Sequence, residues 1–212
     1  CTGSGVLSSA LAMDKIASKR VFESHGIATP AWQIWHAGDA LRIERPLVVK
    51  PANEGSSVGV SVVFEEAELS PALALAGKSR GPILIEEYIA GREIFVGVLE
   101  DEAIGTIEVR PAKGFYDYEA KYLRNDTQYL IPAPIPEELS ASVQAIGLAA
   151  HRALGCQSYS RVDIRVRESG EAFVLEVNTL PGMTGSSLMP KLAKHAGISY
   201  AQLCERILLD AR

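Results

Sequence analysis

Ser160-Arg161-Val162-Asp163-Ile164 and Leu175-Glu176-Val177-Asn178 are two alternating runs with Ser169-Gly170 between them. Such alternation reads as half-buried strands, which puts Arg161 and Asp163 on one face, and likewise Glu176 and Asn178. A two-residue hairpin loop at Ser169-Gly170 sets Asp163 opposite Glu176 and Arg161 opposite Asn178. Two carboxylates then face each other. Directly opposite Cβ atoms lie about 5 Å apart, and like charges there are destabilising unless something positive lies between them. A divalent cation meets that need. The oxygen-only set Asp163, Glu176 and Asn178 suits the hard ions magnesium and manganese, not zinc. The alternative is an exposed hairpin whose charges are solvated.

Around this hairpin lies an ordinary globular composition: 212 residues, 47% hydrophobic and 22% charged, with room for one large or two small packed units. A formal charge of -5 argues against a nucleic-acid binder, which needs a clustered cationic surface. No apolar run approaches membrane-spanning length and the start does not read as a signal peptide, so the expectation is a cytoplasmic protein with no membrane partner. Cys1, Cys156 and Cys204 are too few and too scattered for a disulfide framework or a thiolate metal site. The first residue is Cys1, not Met, which reads as a fragment or a processed chain.

The pattern along the chain predicts a helix over Ser8 to His25, stopped by Gly26, then strands at Ala31 to Trp35, Leu47 to Val49 and Val58 to Phe64. A helix follows with Pro71 at its first position. Ile83-Leu84-Ile85 is a short strand, and Glu93 to Leu99 with Ala103 to Val109 forms a hairpin turning at Asp101-Glu102. Lys113 to Tyr129 has no periodicity and reads as a long ordered loop. Leu139, Val143, Ile146, Ala150 and Leu154 mark a helix capped at Gly155, and Ser187 to Leu208 gives a last helical pair broken at Gly197. Two α+β units emerge, 1–86 and 87–212, joined near Ile85 to Ile89.

Lys50 ends a strand and leads into Pro51-Ala52-Asn53-Glu54-Gly55-Ser56-Ser57-Val58-Gly59. Amides of a Gly/Ser loop can cradle phosphate oxygens while the lysine supplies a point charge. A Walker loop places its lysine after the glycines and opens a helix, so a strand-loop-strand flap is the better description here. The acidic junction Ile85-Glu86-Glu87-Tyr88-Ile89 could seat an adenine against its backbone, with Glu93 accepting from ribose hydroxyls. Each segment also has a plain alternative, a hairpin connection and an exposed linker.

Taken in order, these segments resemble the D-alanine:D-alanine ligases of the ATP-grasp superfamily. The residues are Thr2-Gly3-Ser4-Gly5 with Met13-Asp14-Lys15, Val49-Lys50-Pro51 with Glu54 to Gly59, Phe115 to Tyr122, Arg161-Val162-Asp163, Leu175 to Thr179, and Pro181-Gly182-Met183-Thr184. The resemblance implies an ATP-grasp fold, two α+β subdomains whose mainly antiparallel sheets clasp ATP. It implies two D-alanine molecules joined through an acyl phosphate for peptidoglycan synthesis, and it admits a homodimer. By that likeness Lys15, Lys50 and Lys121 hold phosphates, while Glu86, Glu87, Ile89 and Glu93 hold adenosine. Asp163, Glu176 and Asn178 hold two magnesium or manganese ions. Arg161 and the amide of Gly182 stabilise the reacting centre, Tyr122 closes the site with Ser56, and Ser187 with Leu188 lies near the second D-alanine.

Two departures stand out. The resemblance implies a further N-terminal domain with no counterpart here, so the 212 residues alone are expected to bind ATP with magnesium and to ligate poorly. Gly185-Ser186-Ser187 also replaces the commoner Ser-His-Ser ending of the last substrate loop. Another ATP-grasp carboxylate-amine ligase would share Lys50, Asp163, Glu176 and Asn178 but not the tyrosine-rich loop. A binding module without catalysis is the alternative from a different class.

Overall fold

The computed structural model describes residues 2–110 and 127–211; Cys1, most of the expected long loop, Lys121 and Tyr122 lie outside the described residues. Two antiparallel sheets organise the α+β chain, and the side chains between them form a cleft.

Helices α1 (Val6–Met13) and α2 (Lys15–Ser24) occupy the stretch expected as one helix. Asp14 divides them. Its backbone is extended (φ -92°, ψ 104°), and its carboxylate accepts from the amides of Ile16 at 2.9 Å and Ala17 at 3.0 Å. An N-cap aspartate satisfies amides at a helix start, so it favours a new beginning over continuation. Helix α2 touches both sheets: Ile16 packs with Ala52 and Leu84, whereas Phe22 enters the core of the second unit.

The first sheet contains β1 (Trp32–Trp35), β2 (Leu47–Pro51), β3 (Ser61–Val63) and β4 (Ile83–Glu87), ordered β1-β4-β2-β3. Leu47, Val49, Val63 and Ile85 bury one face beneath Ala72 and Ala76 of α3 (Glu66–Ala76). Alternation therefore turns Val48, Lys50 and Glu86 to the other face, toward the cleft. Three expectations are corrected. Pro71 sits inside α3; its start is set instead by Glu68, which accepts from the amides of Phe64 and Glu65. Residues 55–60 are loop, with Ser56, Ser57 and Gly59 at positive φ, so the third strand begins only at Ser61. Glu86 and Glu87 belong to β4 and are not a free linker.

The second sheet runs β7 (Gln128–Leu130), β6 (Glu102–Arg110), β5 (Arg92–Leu99), β8 (Tyr159–Val166) and β9 (Ala172–Asn178). Leu99 pairs with Glu102, so the β5–β6 turn is Glu100-Asp101, one residue earlier than expected, with φ of 51° and 65°. Left-handed conformation at both central residues matches the right-handed strand twist. One face packs Val96, Val162, Ile164, Val174 and Val177 against α4 (Glu137–Ala153). The contact is close at Gly147, where an added Cβ would lie 2.9 Å from the Val96 Cβ. Gly147→Ala is expected to destabilise by about 1–3 kcal/mol, overpacking outweighing the helix-propensity gain. A denaturant midpoint checks it. The other face covers Phe95 and Ile107 with Leu188 and Leu192 of α5 (Leu188–His195), and α6 (Tyr200–Leu209) follows Gly197 at φ 80°.

The decisive hairpin has the expected pairs, Asp163 opposite Glu176 and Arg161 opposite Asn178, but not the expected turn. Arg167 and Glu171 close a three-residue loop with Gly170 at φ 93°, and Ile164 pairs with Val174. A bulge at Leu175 then adds one residue to β9 and brings the register to the expected one. The loop is one residue longer than the sequence suggests, and the bulge offsets it. In consequence Val174 and Val177 both enter the core, while Leu175 and Glu176 both line the cleft.

Candidate functional site

On the cleft face of the second sheet, residues stand in three rows across β5, β8 and β9. Glu93, Arg165 and Phe173 form the first, Phe95, Asp163 and Glu176 the second, Gly97, Arg161 and Asn178 the third. Arg161 grips Asp163 with two parallel bonds, Nε to Oδ1 at 2.7 Å and Nη2 to Oδ2 at 2.9 Å, and its guanidinium lies 5.3 Å from the Phe95 ring centre. Asn178 Nδ2 donates to Asp163 Oδ1 at 3.2 Å. Lys15 reaches across from α2, with Nζ 3.4 Å from Glu176 Oε2 and 2.6 Å from the Glu54 carbonyl oxygen. The positive charge that the opposed carboxylates require is thus supplied by Arg161 on one and Lys15 on the other. The donor set still fits a hard cation: two carboxylates and an amide oxygen on neighbouring strands, with no thiolate or imidazole among them.

The first sheet faces these rows with Lys50, whose Nζ pairs with Glu86 Oε1. Glu86 Oε2 is 2.9 Å from Lys19 Nζ, and both side chains are almost completely buried. Burial alone would push the Glu86 carboxyl upward, but Lys19 and Lys50 outweigh it and hold it below the usual carboxylate range. The carboxylate is therefore committed to two lysines. At the other end, Arg165 donates to the Ile89 carbonyl at 3.0 Å and to Glu93 Oε2 at 3.2 Å, and lies 5.6 Å from the Tyr88 ring centre. Arg167 pairs with Glu87 and lies over Phe173.

Lys15, Lys50, Glu86, Glu93, Asp163, Arg165 and Glu176 line a cleft open to solvent and walled by Val48, Val60, Ile89 and Leu175 between its charged ends. A second cavity of about 460 Å³ is lined by Arg161, Asn178, Gly182 and Ser187. Gly55, Ser56 and Glu176 line both cavities. Ser187 stands at the N-cap of α5, yet its hydroxyl turns back, accepting from the Thr184 amide at 3.1 Å and contacting Thr184 Oγ1 at 2.8 Å. It also lies 2.8 Å from where a Cβ on Gly182 would be, so only glycine fits there without a shift. Among the described residues, Lys15, Lys50, Glu86, Glu87, Ile89, Glu93, Asp163 and Glu176 meet at the first cavity; Arg161, Asn178, Gly182 and Ser187 meet at the second.

A profile of the family described as D-ala D-ala ligase C-terminus matches residues 22–209. The D-alanine–D-alanine ligase of Geobacter sulfurreducens is 50% identical over 216 residues, covering 99% of this chain and 68% of that protein. The chain belongs to the D-alanine–D-alanine ligase family. A crystal structure of the ligase from Bacillus anthracis superposes with a TM-score of 0.87 at 40% identity, over 99% of this chain and 70% of that one. A structure of the same organism's ligase complexed with ATP gives 0.83 at 35% identity, over 99% and 69%. Two antiparallel sheets facing each other across a cleft are the ATP-grasp arrangement of this family.

Several site residues escaped the sequence reading. Arg165 and Arg167 continue the alternation of Arg161 and Asp163, so the same period-two argument carried further reaches them. Lys19 lies one helical turn from Lys15, the only signal in the sequence that the two share a side of α2, and it is buried behind the cleft, not lining it.

Proposed function

We propose that the chain joins two D-alanine molecules at the expense of ATP, through an acyl phosphate. What carries the reading is the junction of the two cavities: an apolar-walled cleft with lysines at one end meets a second chamber at Ser56 and Glu176, beside the basic side chains of Lys15 and Arg161. ATP occupies the first cavity, its base among Val60, Ile89 and Leu175, its ribose near Glu93, its phosphates toward Lys15 and Lys50. The amino acids occupy the second.

A carboxylate oxygen of the first D-alanine attacks the γ-phosphorus and ADP departs; the amine of the second, having lost its proton, attacks the acyl carbon and inorganic phosphate departs. The first step brings two anions together, so neutralisation is its main requirement. Lys15 and Lys50 meet the phosphates from the first sheet's side, and Arg161 meets the transferring group from β8. Asp163, Glu176 and Asn178 would hold magnesium or manganese, which supplies further charge at the phosphates when bound. The Gly182 amide faces the developing oxyanion, and Ser187 orients the second substrate. The 55–59 flap covers the phosphates from water, which would otherwise hydrolyse the acyl phosphate; Lys121 is assigned to the phosphates and Tyr122 to the closure. Among the described residues Cys156 and Cys204 are free thiols, in keeping with a cytoplasmic setting, and no helix is long and apolar enough to cross a membrane.

Phosphate release from ATP, measured with D-alanine, D-lactate or another amino acid, tests the reading. D-alanine-dependent release with dipeptide as product is expected, even if slow. Release that ignores D-alanine, or prefers another amine, overturns it.

A further inference from the structure

Lys19 belongs to none of the site motifs, yet it is among the most deeply buried charges in the protein, with relative exposure of 0%. Its ammonium lies 2.9 Å from Glu86 Oε2 and donates to Thr29 Oγ1 at 2.7 Å and to the Pro30 carbonyl at 3.2 Å. Thr29 in turn donates to the Val174 carbonyl at 2.8 Å, next to the bulge that aims Glu176. The other oxygen of Glu86 holds Lys50. Two lysines therefore share one carboxylate, and only Lys50 of the two lines the cleft. Burial draws the Lys19 ammonium toward its neutral form and Glu86 opposes this.

We propose that Lys19 is a positioning residue for the phosphate end of the cleft. It satisfies Glu86 from behind, so that the cluster presents a net positive charge through Lys50, and it ties that cluster through Thr29 to the strand bearing Glu176. Without it, Glu86 neutralises Lys50 and the cluster carries no net charge. Screening is weak at a buried site, so a lost unit charge is felt by a nearby polyanion. This rests on the reading of the cleft as an ATP site.

Calorimetric titration with ATP and with adenosine tests it, because adenosine has the base and ribose but no phosphates. Lys19→Met is expected to weaken ATP about tenfold and to leave adenosine unchanged. Adding Glu86→Gln to Lys19→Met leaves Lys50 as the cluster's one charge, and the ratio of ATP to adenosine affinity is expected to return to within about threefold of wild type. If Lys19→Met does not fold, the double variant decides alone. Equal losses for ATP and adenosine, an unchanged ATP affinity, or no recovery in the double variant overturns the proposal. Wild type that binds adenosine no better than it binds an unrelated nucleoside, and ATP not at all, sinks the ATP reading itself.

Discussion

Arg161→Lys is expected to lower D-alanine-dependent phosphate release by about 10³-fold, a loss in the range seen when a transition-state arginine is removed. Lysine keeps the charge, so the loss measures geometry. Arg161 makes two parallel bonds to Asp163 and stacks on Phe95, and a compact ammonium reproduces neither. It lines the second cavity and not the cleft proposed for ATP, so KM for ATP is expected to change little while kcat carries the effect. Single-turnover kinetics separates the two. A variant with more than about a tenth of wild-type kcat removes Arg161 from the reacting centre.

Glu176→Gln is expected to cost roughly 10²–10³-fold in turnover and to raise the magnesium concentration needed for half-maximal rate. The amide has nearly the carboxylate's shape, and the side chain is 28% exposed, so the fold is expected to persist. What changes is charge at the point where both cavities meet. Lys15, 3.4 Å away, loses its carboxylate partner but keeps the Glu54 carbonyl at 2.6 Å. Thermal unfolding beside a magnesium titration of turnover checks both halves. An unchanged magnesium requirement takes Glu176 out of the ion-binding set.

Much of this architecture was legible because its signals are local. Alternation along β8 located the face bearing Arg161 and Asp163, and the three-to-four spacing along α4 located its buried stripe. Family likeness ordered the motifs. What could not be read has a common cause, competition between two local options settled by distant packing. Asp14 could sit within a helix or cap a new one, and contacts of α2 with both sheets select the cap. The β8–β9 turn could use two residues or three, and the bulge at Leu175 decides by letting Val174 reach the core. The site pairing was expected on a simpler hairpin than the real one, and it holds because loop and bulge differ from that hairpin by one residue each. Lys19 was illegible for another reason: a buried lysine is recognisable only once its partners are in place, and Thr29, Pro30 and Glu86 come from separate segments.

The bulge also breaks the rhythm of β9. Before Leu175 the strand keeps time with Ala172 and Val174 inward; after it the beat has shifted, and Val177 is inward. A greasy wall residue, Leu175, and the acidic Glu176 thereby become consecutive residues on one side of the strand, one peptide unit apart. The apolar wall and the charged end of the cleft, proposed for a base and its phosphates, are gauged against each other by the stiffest link a chain possesses, and a drift in one carries the other with it.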